Sequence, residues 1–163
     1  MTTTQYDLVI RNARVATAAD TMNCDIGVSA GRIAALAQSL AQGKSEIDAA
    51  GKWVTPGGVD AHCHLDQPMP APMQMADDFV SGTVAAACGG TTTVIPFAAQ
   101  VKGGSLRAAV ADYHLRAGGK ALIDYAFHLI VTDPTETVLR EELPSLIREG
   151  YTSFKIYMTY DDL

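Results

Sequence analysis

Hydrophobic and polar positions along this 163-residue chain change rhythm once, at Pro56. Before it the apolar runs are short: "YDLVI", "RVATA", "CDIGV", "IAALA" and "SEIDAAGKWVTP", with turn residues such as "RNAR" and "SAGR" between them. Short strands separated by Gly-bearing turns predict a β meander over residues 5 to 55, as in a small sandwich or open barrel. After Pro56, strand-like and helix-like spacing alternate. "GGVDAHCH" is an apolar run closing on two histidines. Asp77 or Asp78 caps a predicted helix to about Cys88, with Phe79, Thr83, Ala86 and Ala87 near helical spacing, stopped by Gly89-Gly90. "TTTVIPF" is β-branched and strand-like. Ser105 caps "LRAAVADYHLRA", which ends at Gly118-Gly119, and "ALIDYAFHLIV" is the next buried strand. "DPTETVLREELPSLIRE" opens with Asp133 as cap and Pro134 at the first helical position, ends at Gly150, and is followed by the strand "YTSFKIYMTY".

Apolar strands alternating with helices in units of roughly 30 residues are the signature of βαβ construction and a parallel sheet covered by helices. Four such strands make either a small open sheet or half of an eight-stranded barrel. The closing "MTYDDL" has no terminal cap or polar tail, so the expectation is that these residues are the first part of a longer protein.

Composition narrows the class. Apolar residues make up 48% and charged residues 18%, a packed globular chain rather than a disordered one. Twelve basic against eighteen acidic residues leave a net charge of −6 with no Lys/Arg cluster, which speaks against a nucleic-acid or anionic-membrane partner. Cys24, Cys63 and Cys88 show no paired spacing and read as reduced thiols in a cytosol, Cys63 and Cys88 as small core residues. "MTTTQYDLVI" has no basic region before an apolar stretch, so no leader is predicted. No run of about 18 apolar residues predicts a membrane helix.

His62 and His64 carry the first chemical signal. On a strand, residues i and i+2 project to one face, so two imidazoles at this spacing can share a metal ion while Cys63 turns into packing. The C-terminal end of a first parallel strand is also where barrels and doubly wound sheets keep their sites. Two histidines serving no metal is the other reading, and spacing alone leaves both open. Asp66 follows two residues later on the predicted same face. Lys155 is the second signal, one lysine in the apolar strand "TSFKIYMTY". A buried amine without a partner is costly, so it is paired, discharged or modified, for instance as a carbamate. The alternative is a lysine whose head reaches solvent on the outer side.

"PGGVDAHCHLDQP", "ADDFVSGTVAAACGGTTTVIPFA", "DYAFHLIVTD" and "EGYTSFKIYMTYDD" together resemble the hydantoinase/dihydropyrimidinase group of cyclic amidohydrolases, over essentially the whole chain. The resemblance implies an α/β fold: the first half of a TIM-type (β/α)8 metal-dependent hydrolase barrel over residues 56–163, preceded at 1–55 by the N-terminal β segment of a small composite sandwich domain. It implies two zinc ions, with His62 and His64 on one and an N6-carboxylated Lys155 bridging both. It gives Tyr160 the role of stabilising the oxyanion as metal-activated water opens a dihydropyrimidine or 5-substituted hydantoin to an N-carbamoyl amino acid. The Pro- and Met-rich segment from Leu65 to Met75, including Leu65 and Met69, resembles a substrate-gating loop. Asp66 reads as a loop brace or a support for a ligand histidine, and Asp60 as a brace of the strand end. His128 reads as a lumen-facing or, more commonly, a satisfied core histidine, and His114 as solvated helix surface. A cytoplasmic enzyme for a small cyclic amide or imide, assembled as a homotetramer or homodimer, is the implied whole. The family's remaining two histidines and aspartate would lie beyond Leu163, so these residues alone are expected to be inactive.

Related readings compete. An allantoinase or dihydroorotase is one, although the latter usually carries an arginine soon after HxH and "HLDQP" has none. A cytosine-deaminase-like enzyme would not need Lys155. A non-catalytic dihydropyrimidinase-related assembly protein is the reading from another class, disfavoured by the presence of His62, His64 and Lys155 together.

Overall fold

The computed structural model describes residues 6–160; the first residues of "MTTTQYDLVI" and Asp161–Leu163 of "MTYDDL" lie outside it. The chain divides into two compact units between Pro56 and Gly57.

The first unit is a five-stranded sheet of β1 (Leu8–Ala16), β2 (Thr21–Ser29), β3 (Arg32–Ala37), β4 (Ser45–Asp48) and β5 (Trp53–Val54). It is a meander only as far as β3: β1, β2 and β3 pair antiparallel, whereas β4 and β5 both return to run parallel to β1. The β2–β3 turn places Ala30 and Gly31 at positive φ, as a two-residue hairpin of this twist requires. "RNAR" is not a turn. Three residues of β1 span two of β2 between Ile10 and Ala13, so Arg11 and Asn12 form a bulge inside one continuous strand. The buried Asp25 carboxylate holds that bulge through the Asn12 amide at 3.1 Å and the Arg11 guanidinium at 2.8 Å.

The second unit is an all-parallel sheet in spatial order β6 (Gly58–Cys63), β7 (Thr91–Ala99), β9 (His128–Ile130) and β10 (Phe154–Lys155); β8 (Asp124–Tyr125) pairs β7 just ahead of β9. Sequence order and spatial order coincide, as in half of a (β/α)8 barrel. Helix α1 (Phe79–Cys88) begins where expected: Asp78 accepts from the Val80 and Ser81 amides, and Ser81 completes the capping box. Helix α2 (Leu106–Ala117) is capped by Ser105 and buries Leu106, Val110, Tyr113 and Ala117, one face at i, i+4, i+7 and i+11.

The third helix departs from expectation. Asp133 does not cap it; its carboxylate accepts from the Gly103 amide, and Thr135 takes the Val138 amide instead. A π-helical turn, Val138–Glu142, precedes α3 (Leu143–Arg148), which has Pro144 in its first turn. A proline lacks the amide and crowds the carbonyl four residues back, and the wider turn relieves both. Cys88 lies exposed rather than in the core. His114 is exposed but not merely solvated, since its Nε2 bonds the Tyr151 hydroxyl.

The core lies between sheet and helices. Val94, Ala98, Phe127, Leu129 and Val131 from the strands meet Phe79, Leu106, Val110, Tyr113 and Leu146 from the helices. Leu65 belongs to this core, packed against Gly82, where a β-carbon would come within 2.3 Å of a Leu65 methyl. Among the described residues no helix is long and apolar enough to cross a membrane.

Candidate active-site cleft around Phe97

Alternation on β7 sends Val94 and Ala98 to the helices and Phe97 to the opposite, concave face. There the Phe97 ring is a hub. Its centroid is 4.7 Å from the His62 ring, 5.1 Å from His64 and 4.9 Å from His128, and the Lys155 Nζ stands over it at 4.5 Å. The ends of the first and fourth barrel strands therefore converge on one aromatic face. An open cleft of about 600 Å³ lies here, lined by Ala61, His62, Phe97, His128, Ser153 and Lys155 among others.

The HxH pair sits at a bulge rather than on a regular strand. Register runs from Asp60↔Val94 to Cys63↔Pro96, three residues against two. Pro96 has no amide to donate, and a central strand tolerates it only at such an irregularity. Asp60 braces the bulge by accepting from the His62 amide at 3.0 Å. The two imidazoles remain on one side, centroids 5.4 Å apart. His64 Nδ1 pairs with Gln67 Oε1 at 2.6 Å, which leaves Nε2 free to ligate, while the ring nitrogens of His62 have no hydrogen bond among the described residues. Burial, then the Asp60 carboxylate, pushes the Cys63 thiol up to about 11, and the side chain packs against the core.

Lys155 turns inward while its neighbours Phe154 and Ile156 are exposed. Among the described residues it has no carboxylate within ion-pairing range; its contacts are the Phe97 ring and, at 5.2 Å, the Tyr157 ring. Two imidazoles and an unpaired amine are donors that suit a borderline ion such as zinc, the amine once carboxylated. Among the described residues no three His, Cys, Asp or Glu side chains form a metal-binding group. Tyr160 does not line the cleft; it packs edge-on against Tyr157 with centroids 5.2 Å apart.

The loop residues separate. Leu65 is buried beneath α1 and faces no substrate space. Met69 lines a cavity of about 460 Å³ belonging to the loop itself, with Gln67, Met73, Asp77 and Arg116, and no histidine or lysine touches it. Asp66 is not on the histidine face. At φ 48° it turns out of the strand, and Arg116 Nη1 on α2 bonds its carbonyl at 3.1 Å, so it braces the loop rather than a ligand. Sequence reasoning passed over Phe97 and Ser153. The signal for Phe97 was the alternation within "TTTVIPF", which sets it opposite Val94.

Residues 53–150 match the model of the amidohydrolase family. The chain belongs to that family. Within it the similarity is to hydantoinases and dihydropyrimidinases. It is 46% identical over 154 residues to the D-hydantoinase of Ralstonia pickettii, a match covering 94% of this chain and 33% of that protein. It is 39% identical over 166 residues to the dihydropyrimidinase of Rattus norvegicus, covering 98% and 32%. A solved structure of a D-hydantoinase superposes with a TM-score of 0.90 at 44% identity, over 96% of this chain and 34% of that one. The chain thus spans about a third of the length of the relatives it matches.

Proposed function

We propose that the protein containing this chain hydrolyses a cyclic amide, a dihydropyrimidine or 5-substituted hydantoin, to an N-carbamoyl amino acid. The observation that supports this reading most is the shared Phe97 ring, against which His62 and His64 from the end of β6 and Lys155 from β10 all lie. In this reading His62 and His64 would hold zinc, and Lys155, its neutral Nζ adding CO2 and losing a proton to form a carbamate, would supply an anionic oxygen ligand. Bound zinc would supply Lewis acidity and a water acidic enough to deprotonate near neutrality. The chain's own groups do the rest. Gln67 sets the His64 ring through Nδ1, leaving Nε2 as the ligating atom. Tyr160, beside Tyr157 and five residues beyond Lys155, is the group assigned to hydrogen-bond, through its hydroxyl, the oxyanion of the tetrahedral intermediate.

The test is a chimera in which this chain replaces the matching third of the Ralstonia pickettii D-hydantoinase. It is expected to bind about two zinc ions per subunit and to open dihydrouracil or a 5-substituted hydantoin. An active chimera free of metal would overturn the mechanism, and a zinc-loaded chimera inactive on both rings would overturn the substrate class.

A further inference from the structure

We propose that His128 is a positioning residue for this site, a strap that fixes where His62 and Lys155 stand relative to each other; the inference rests on the reading above. Its two ring nitrogens are both engaged, one partner lying on the strand that carries His62 and the other just ahead of the strand that carries Lys155. Nε2 lies 2.8 Å from the carbonyl oxygen of Ala61, immediately before His62. Nδ1 lies 2.6 Å from the hydroxyl of Ser153, two residues before Lys155. A carbonyl only accepts, so Nε2 carries the proton and donates, and Nδ1 of the neutral ring accepts from Ser153.

The bulge explains why this carbonyl is available. Between Asp60 and Cys63 the β6–β7 register breaks, and Ala61 has no Cα partner on β7. His128 lies in register with Phe97 on the adjacent strand, yet it reaches past β7 to β6 with its ring against the Phe97 ring. A histidine needing only satisfaction in an apolar setting could use any nearby polar group. These two bonds instead tie the bulge carrying His62 to the strand end carrying Lys155, and Phe97 supplies the face on which all three side chains rest.

The experiment uses the chimera described above, isotopically labelled, without metal and then with Co(II). Without metal, ring nitrogen shifts are expected to show His128 as the Nε2–H tautomer. The ε-methylene of Lys155, over the Phe97 ring, is expected upfield of its unstructured position. His128→Phe, which keeps a flat ring and loses both bonds, should return the Lys155 and His62 resonances toward unstructured values while Val94 and Leu129 methyls hold theirs. His128→Gln, whose amide can still reach Ala61, should restore the His62 resonances. Ser153→Ala removes one bond only, should move Lys155 more than His62, and decides the matter if His128→Phe does not fold. Unmoved His62 and Lys155 resonances in these variants, or an Nδ1–H tautomer in the parent, would overturn the strap. Where the parent binds Co(II), His128→Phe should weaken binding about tenfold and alter the visible spectrum, with partial return in His128→Gln; equal affinity with an identical spectrum would overturn the positioning role. A parent that shows the strap resonances but takes no Co(II) would remove the metal reading and leave the strap standing.

Discussion

Arg11 and Lys155 are both cations set into β-strands, and the two units of the chain satisfy them in opposite ways. Arg11 has both terminal nitrogens engaged: it donates to Asp25 at 2.8 Å, to the Leu40 carbonyl at 2.7 Å, to the Ala41 carbonyl at 3.3 Å, and to Glu46. Among the described residues Lys155 has aromatic faces alone. A cation bonded to two carboxylates and two carbonyls is committed to architecture, because moving a carboxylate partner leaves a charge unpaired. A cation held over a ring gains only about 0.5–2 kcal/mol and keeps its lone pair accessible once the proton leaves. The difference separates a structural staple from a group free for chemistry.

That contrast can be broken or sharpened at several places, taken from the largest expected effect downward. Lys155→Ala in the chimera should reduce turnover on the order of a thousandfold with loss of metal, and short carboxylic acids should restore part of it; unchanged turnover and zinc content would place Lys155 with Arg11 as architecture. Tyr160→Phe should cost about a hundredfold in kcat while zinc content stays, which rate and metal analysis on one sample would check. Phe97→Leu removes the ring beneath the amine and both imidazoles, and about a tenfold loss of kcat with a preserved fold is expected, by kinetics and circular dichroism.

On the Arg11 side the readout is stability. Asp25→Ala leaves Arg11 short of its most buried partner and should lower Tm by about 5 °C. The pH dependence has a definite sign. The Arg11 hydrogen bond holds the Asp25 carboxyl below its ordinary range, so its contribution is full above about pH 4, the unfolded-state value, and is lost as pH falls through the lower folded value. Asp25→Asn should therefore flatten the acid limb of a Tm-against-pH curve, and an unchanged limb would refute the assignment. The smallest effect belongs to Lys44→Ala: the Lys44–Asp7 pair, 2.7 Å apart, is exposed on both sides, and no measurable change in Tm is expected.

Local sequence was a good guide wherever a local rule governs. Asp78 and Ser105 cap their helices because an acceptor before a run of orphan amides suffices, and the parallel strands fall within the expected apolar runs, although "ALIDYAFHLIV" divides into β8 and β9. It misled where a partner distant in sequence decides. "RNAR" reads as a turn, yet Asp25 converts it into a bulge within a strand. Asp133 reads as a cap, yet the Gly103 amide claims it. Leu65 and Asp66 read as loop or site residues, yet Gly82 makes room for one in the core and Arg116 draws the other away.

The site divides in the same manner. HxH at a strand end and one lysine in an apolar strand are patterns within a few residues, so the sequence by itself determined which groups are candidates and on which strands they ride. That those strand ends face a single phenyl ring, that His62 sits at a bulge forced opposite Pro96, and that His128 joins the two ends were decided by the tertiary structure. The physical reason is that strand pairing and ring contact act between residues about 25 to 60 positions apart, and periodicity along a chain carries no information about which face meets which.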